Sequence, residues 1–214
     1  MKVLNRNTCI WMISIAALGL QASGSVARDN VNCGNLIEDA AGYGPFDYTD
    51  PAHNTVDLTR VEKHHFTSDV RLLIRGSTNE LPHRDLDYTL RKFPNHHLAL
   101  DSMARLQRDD GGKLKADIYT TDCYFKRATR FSPSDDIVWL IWGIHLHKSG
   151  QFSEAEEKYK TAIRVNPENS QSYYNLGLLY VDMGQKEKAQ AAADDAYRLR
   201  YPQQGLKRRI ARMK

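Results

Sequence analysis

The chain has 214 residues, which suits one or two domains with a sizeable core, and its 30 basic and 26 acidic residues leave a formal charge of +4. A charge this close to zero argues against a general nucleic-acid binder, because such proteins carry a strong excess of Lys and Arg. We therefore expect no nucleic-acid partner.

The N-terminus has the pattern of a secretory signal peptide. Lys2 and Arg6 precede an apolar run over residues 9–20, and Ser25 and Ala27 supply the small residues that a signal peptidase reads. The run has 12 residues, fewer than the ~20 that a membrane-spanning helix needs, so an uncleaved anchor is the weaker reading. We expect cleavage after Ala27, which removes two positive charges and leaves +2. In a Gram-negative bacterium the destination would be the periplasm.

Residues 28–55 are predicted to form an irregular arm. The segment is rich in Gly, Asn and Asp, and residues 41–51 read as successive turns. Tyr43, Phe46 and Tyr48 are too apolar for a free tail, so we expect their rings to lie against the helices. An aromatic loop that grips a ligand is the alternative.

Residues 56–93 show helical spacing and are predicted to form a degenerate helical repeat. We expect a break at His64-His65, a new helix capped by Thr67 or Ser68, and a stop at Gly76. A second helix should begin at Pro82. The following unit, residues 94–133, should hold helices near 95–108 and 115–130, separated by a glycine-containing break.

The C-terminal half contains a sequence pattern that repeats after 34 residues. Pro133 returns as Pro167, and both are followed by the same order of aromatic, bulky and small residues. The first set is Trp139, Trp142, Gly143, Leu146, Gly150, Ala155, Tyr159 and Ala162, and the second is Tyr173, Leu176, Gly177, Tyr180, Gly184, Ala189, Ala193 and Ala196. In period and residue type this resembles tetratricopeptide repeats, with units at 134–167 and 168–201 and a divergent one at 94–133.

The resemblance implies an all-α fold, a short right-handed solenoid of antiparallel helix pairs preceded by the arm. Small residues such as Gly143 and Gly177 are needed where the two helices of a pair cross. The segments around Cys33-Gly34 and Phe93-Pro94-Asn95 also look like a group of exported bacterial repeat proteins. The implied function is a scaffold that binds a protein or peptide in its concave groove during a cell-envelope process, without catalysis or a cofactor.

Groove positions follow from the same resemblance. Asn175 matches a position where co-chaperone repeats bind a peptide backbone or terminal carboxylate, but the cationic sites of that clamp are Leu140 and Tyr174 here. We therefore expect an apolar ligand segment. The predicted partner-binding residues are Arg105, Leu140, Ile144, His147, Tyr174, Asn175, Leu178 and Val181.

Two cysteines, Cys33 and Cys123, remain after the expected cleavage. In an oxidising compartment such a pair is usually bridged, so we predict a disulfide that pins the arm to the first repeat. Two buried free thiols, or an exposed Cys33 on a loose tail, are the alternatives.

Residues 202–214 are predicted to form a basic C-terminal capping helix. Leu206, Ile210 and Met213 share one stripe and the remaining positions are largely basic. Such a helix can solvate the end of a solenoid, or it can make a peripheral contact with a membrane surface or an acidic partner.

Two other functions stay open. Histidines and carboxylates between residues 83 and 97 could ligate a metal or support hydrolysis, although their spacing matches no known motif. The chain could also self-assemble through its solenoid ends. The sequence predicts no particular oligomeric state. The candidate metal ligands are His83, Asp85, Asp87, His96 and His97.

Overall fold

The computed structural model describes residues 33–77, 81–109 and 118–213, so the predicted signal peptide lies outside the described residues. These three ranges contain helices, turns and irregular segments, and no strand occurs in them. Successive helices pack as antiparallel pairs around one continuous apolar core. The predicted all-α, repeat-like solenoid is confirmed.

Twelve α-helices and one π-helical turn, Asn54–Leu58, occur in the described ranges. The α-helices are α1 Leu36–Asp39, α2 Pro51–His53, α3 Thr59–His65, α4 Ser68–Arg71, α5 His83–Lys92, α6 His97–Asp109, α7 Thr121–Phe131, α8 Asp136–Lys148, α9 Phe152–Val165, α10 Ser170–Asp182, α11 Lys186–Arg198 and α12 Gly205–Ile210.

The most regular part of the molecule is the pair of hairpins α8–α9 and α10–α11. Polar side chains open their first helices, since Asp135 accepts from the Val138 amide at 3.4 Å and Asn169 accepts from the Gln171 amide at 3.0 Å. Gly150 joins α8 to α9 with a φ of +76°, a value that glycine adopts without strain. The hairpins therefore follow from local signals that recur with the sequence period.

Two predicted helix boundaries are wrong. Helix α7 begins at Thr121, capped by Thr120, and not near Lys115; residues 118–120 are not helical, and 110–117 lie outside the described ranges. Helix α4 ends at Arg71 and not at Gly76, because Leu73 already has a φ of +62°. Of the two predicted N-caps, Thr67 or Ser68, the N-cap is Thr67, whose side chain accepts from the Val70 amide at 3.4 Å.

The arm, residues 33–50, lies against the helices with its rings inserted. The Phe46 ring contacts Phe93 with centroids 5.4 Å apart, and the Tyr48 ring tilts over His96 at 4.3 Å. The Phe46 amide also donates to the Lys92 carbonyl at 2.8 Å. Because the rings pack internally, the alternative of a ligand-gripping loop loses its basis. The predicted arm, residues 28–55, is less irregular than expected, since its described part contains α1, α2 and the start of the π-helical turn.

The start of the arm is held by polar side chains of α7 and of Tyr119, which precedes it. Arg127, with 1% of its surface exposed, donates to the Cys33 carbonyl at 2.8 Å and pairs with Asp39. The Tyr119 hydroxyl donates to the same Asp39 carboxylate at 3.0 Å. Cys33 and Cys123 lie side by side with Cα atoms 5.2 Å apart, a separation that suits a disulfide.

Helix α12 covers the C-terminal end of the solenoid. Leu206 and Ile210 are buried against α10 and α11, while Lys207, Arg208 and Arg209 face outward. The apolar residues Leu206 and Ile210 are thus used inside the protein, while the basic side chains of α12 are exposed. The predicted peripheral membrane contact stays a prediction.

Candidate functional site

A cleft of about 430 Å³ opens between the first helices α8 and α10 and the capping helix α12. Ile144 and Leu178 form an apolar floor, and the Phe152 and Tyr159 rings form one wall. The full lining consists of Ile144, His147, Lys148, Gly150, Phe152, Tyr159, Asn175, Leu178, Asp182 and Arg209. The cleft thus combines an apolar base with a charged rim, as ligand sites commonly do.

Asp182 is the electrostatic centre of the rim. Its carboxylate lies 2.9 Å from Nε2 of His147 and pairs with Arg209 of α12. His147 in turn contacts Tyr159, whose hydroxyl is 3.4 Å from Nδ1, and the edge of the Phe152 ring. This network ties the last helix to two repeats and fixes the rim before any partner arrives.

Tyr159 stays a neutral phenol at physiological pH. Burial, and to a smaller extent the Asp182 carboxylate, raises the pKa of its hydroxyl far above 10.0. Tyr159 is fully buried, so it shapes the cleft wall from behind the exposed side chains. Its hydroxyl lies 3.4 Å from Nδ1 of His147, and it supplies no charge.

Four of the predicted partner-binding residues line this cleft, namely Ile144, His147, Asn175 and Leu178. Two others do not, because Leu140 is 2% exposed and Tyr174 is 7% exposed. Tyr174 stacks on the Tyr201 ring at 4.2 Å, and both residues belong to the core. The prediction that a ligand segment lies along Leu140 and Tyr174 is therefore corrected.

The remaining predicted groove residues are committed to other contacts. Val181 is half-buried and packs on the core outside the cleft lining. Arg105 donates to Asp101 at 2.9 Å and to the Arg71 carbonyl at 2.7 Å, so it ties α6 to α4 and does not line the cleft. Asn175 lines the cleft, but its amide donates to the Gln171 carbonyl of its own helix at 2.9 Å.

Sequence reasoning missed six residues of the lining, of which Gly150 and Tyr159 had been recognised as repeat positions but not as partner-binding residues. Lys148 and Asp182 lie one helical turn after Ile144 and Leu178, so helical spacing could have added them. Phe152 follows the turn glycine. Arg209 had no signal, because its place in the cleft depends on how α12 packs against the last repeat.

The candidate metal ligands do not converge, and each has a different partner. Asp85 lies 2.9 Å from His65, and the Tyr124 hydroxyl donates to Asp87 at 2.5 Å. His96 lies 3.1 Å from Glu62, while His97 lies 2.8 Å from Asp135. His83 is buried at the start of α5. In the described part of the chain no three His, Cys, Asp or Glu side chains could hold a metal together, so the hypothesis of one site at residues 83–97 is wrong.

The pKa shifts of Asp85 and His96 are consistent with a structural role for these residues. Burial acts to raise the pKa of Asp85, but hydrogen bonds from Ser77 and His65 outweigh it and hold that pKa below its usual value. Burial lowers the pKa of His96, against the opposing effect of Glu62. These groups join the helices of the degenerate repeat to one another.

Comparison with protein families agrees with the geometry of the last hairpins. Residues 143–184 match a family described as TPR repeat, and residues 170–201 match one described as Tetratricopeptide repeat. Residues 143–201 carry tetratricopeptide repeats. No curated protein matches the chain. The unit at 94–133 and the degenerate unit before it lie outside the matched segments and stay predictions. Within the ranges described, no helix is both long and apolar enough to cross a bilayer.

Proposed function

We propose that the chain is an exported scaffold whose cleft binds a segment of another protein in a cell-envelope process. Tetratricopeptide repeats generally serve as non-catalytic scaffolds for protein interaction, and the matched repeats form most of this cleft. The observation that carries the proposal is an apolar floor, Ile144 and Leu178, left partly exposed at the base of the cleft between α8 and α10.

The mechanism is recognition by a preformed surface. The cleft walls are fixed by the His147–Asp182–Arg209 contacts and by the buried Tyr159 ring. A partner that docks there orders few side chains of the scaffold, so little of the binding free energy is spent on conformational entropy.

Photo-crosslinking in the native host tests this function. A photoreactive residue is placed at Ile144 or Leu178, and the captured proteins are compared with those from Lys188, an exposed position on α11. We expect a defined envelope protein captured from the cleft positions and absent at Lys188. Identical captures from both surfaces, with the scaffold intact and exported, would refute the proposal.

Export and the disulfide are parts of the same proposal. We expect the mature protein to begin at Arg28 and to contain a Cys33–Cys123 bridge, because the two residues are adjacent and the exported compartment is oxidising. Mass spectrometry of the purified mature protein, with thiol alkylation before and after reduction, measures both. A mature chain that retains residues 1–27, or that alkylates fully without reduction, would contradict them.

A further inference from the structure

The rim of the cleft carries more positive than negative charge. Lys148 and Arg209 are permanent cations, and Asp182 contributes the lining's one carboxylate in the described ranges. Asp182 is already paired with Arg209 and His147, whereas Lys148 is exposed and no carboxylate of the described ranges pairs with it. A docking segment therefore meets an open positive charge beside the apolar floor.

The cleft is also short. On its N-terminal side the lining ends at α8, and no residue of α6 contributes to it. On its C-terminal side, α12 closes the space through Arg209. The lining therefore covers only residues 144–148 of α8 and 175–182 of α10, so the surface suits a short segment with one anchoring side chain.

From these features we infer that the cleft binds an acidic protein segment, which inserts one bulky apolar side chain between Ile144 and Leu178 and places a neighbouring carboxylate against Lys148. The inference rests on the proposed function and names the chemistry of its partner. The apolar floor supplies affinity, and the rim charge selects the sign of the flanking residues.

Other ligand chemistries fit less well. A basic segment would set its charge against Lys148 and Arg209 without a free carboxylate to receive it. A chain terminus held by its carboxylate would need donors at the positions of Leu140 and Tyr174, which are buried and apolar or aromatic. A lipid surface would need an exposed apolar stripe on α12, and that stripe is buried.

Fluorescence anisotropy with short blocked peptides tests the inference on the purified mature protein. The probe is a labelled hexapeptide with acetylated and amidated ends, in which one phenylalanine is flanked by aspartates. Two companion peptides replace the aspartates by lysines, or the phenylalanine by alanine. We expect the acidic phenylalanine peptide to bind most tightly and its binding to weaken as salt is raised.

Lys148→Glu is the decisive variant, and Arg164→Glu is its matched control. Both residues are exposed cations in the last turn of their helices, so both changes carry the same helix-dipole cost, but Arg164 lies outside the cleft. We expect Lys148→Glu to weaken the acidic peptide roughly fivefold, the scale of one partly exposed ion pair, and Arg164→Glu to leave it unchanged. Leu178→Gln should weaken every phenylalanine peptide.

Several outcomes would overturn the inference. They are equal affinity for the acidic and basic peptides, no effect of Lys148→Glu, and no measurable binding of the acidic peptide. None of them touches the proposed function, because crosslinking from Ile144 and Leu178 reports a cleft partner whatever its charge. A captured partner whose crosslinked segment is basic would leave the scaffold function standing and refute the acidic chemistry.

Discussion

At the scale of single residues, two glycines in equivalent repeat positions meet different neighbours. A Cβ added to Gly143 would lie 2.6 Å from two ring carbons of Tyr159, which is fully buried, whereas one added to Gly177 would lie 2.5 Å from Cδ2 of Leu206. The repeat pattern predicted that Gly177 would lie closest to its paired helix α11. Its closest neighbour is instead Leu206 of the capping helix α12. A larger residue there displaces α12 first.

Gly143→Ala is expected to cost more stability than Gly177→Ala. The Tyr159 ring cannot move without shifting α9, so overpacking should cost about 1–3 kcal/mol. At Gly177 the Leu206 methyl can rotate away. The ~1 kcal/mol helix preference of Ala over Gly offsets the overpacking cost that remains. Urea unfolding of both variants measures the difference. Equal losses would show that the Tyr159 ring yields as easily as the Leu206 methyl.

His145 should make stability depend on pH. Burial and then the neighbouring Arg108 lower its pKa from 6.5 to about 4, against a weaker opposing effect of Asp122. The Arg108 guanidinium, 3.1 Å away, can only donate, so Nδ1 of His145 must accept and the ring is neutral in the fold. The unfolded chain therefore binds the proton more readily, and the unfolding free energy should fall by roughly 3 kcal/mol as pH drops from 6.5 to about 4.

The His145→Gln variant checks the sign and the origin of this loss. It removes the titrating group, so its unfolding free energy in urea should decline less over the same pH range. His96, whose pKa is also lowered by burial, contributes a decline of the same sign, so the slope should shrink and not vanish. An unchanged slope would mean that His145 binds its proton equally well in the folded and the unfolded chain.

At the scale of elements, Asn95 joins the arm to the repeats. Its side chain is fully buried, accepts from the Tyr48 amide at 3.0 Å, and donates to Asp47 and Asp135 at 2.8 and 3.0 Å. Asn95→Ala leaves two carboxylates without their shared donor, at a cost on the order of 1–3 kcal/mol. We expect the Tyr48 amide to lose its protection in hydrogen exchange.

Asn169→Ala is the control for that experiment. Asn169 caps α10 and donates to Asp136 at 2.5 Å, so its loss destabilises a helix start without touching the arm. The Tyr48 amide should keep its protection in this variant. Equal loss of protection in both variants would mean that the arm opens only with global unfolding.

The 34-residue repeat predicted the helices that carry local signals in their own sequence. It failed where contacts between distant parts of the chain determine the structure. Helices α8 to α11 follow from caps and from apolar positions that repeat every 34 residues. The start of α7 has a local signal too, since the Thr120 side chain accepts from the Cys123 amide at 3.3 Å, but the sequence pattern predicted it near Lys115. The contact of the Tyr119 hydroxyl with Asp39, 80 residues earlier in the chain, has no local pattern.

At the scale of the whole molecule, the sequence predicted the residues on the floor of the cleft but not those that close its edges. Ile144 and Leu178 follow from helical register, which depends on the repeat alone. Whether Tyr174 lines the groove depends on Tyr201 and α12, which cover that position in this chain. The charged rim likewise needs Arg209, so its sign could be read only after the cap was placed.

The cap also bears on self-assembly, which requires an open solenoid end. Leu206 is fully buried over α10, and burying a leucine contributes roughly 1.5–3 kcal/mol. Leu206→Asp should release α12 and uncover the apolar end of the last repeat, so we expect a concentration-dependent mass in sedimentation equilibrium. Arg208→Asp, an exposed change on the same helix, should behave like the parent protein, whose mass we expect to be independent of concentration. Association of the parent protein itself would instead implicate the exposed side chains Leu72 and Ile74 at the other end, and would revive self-assembly as a function.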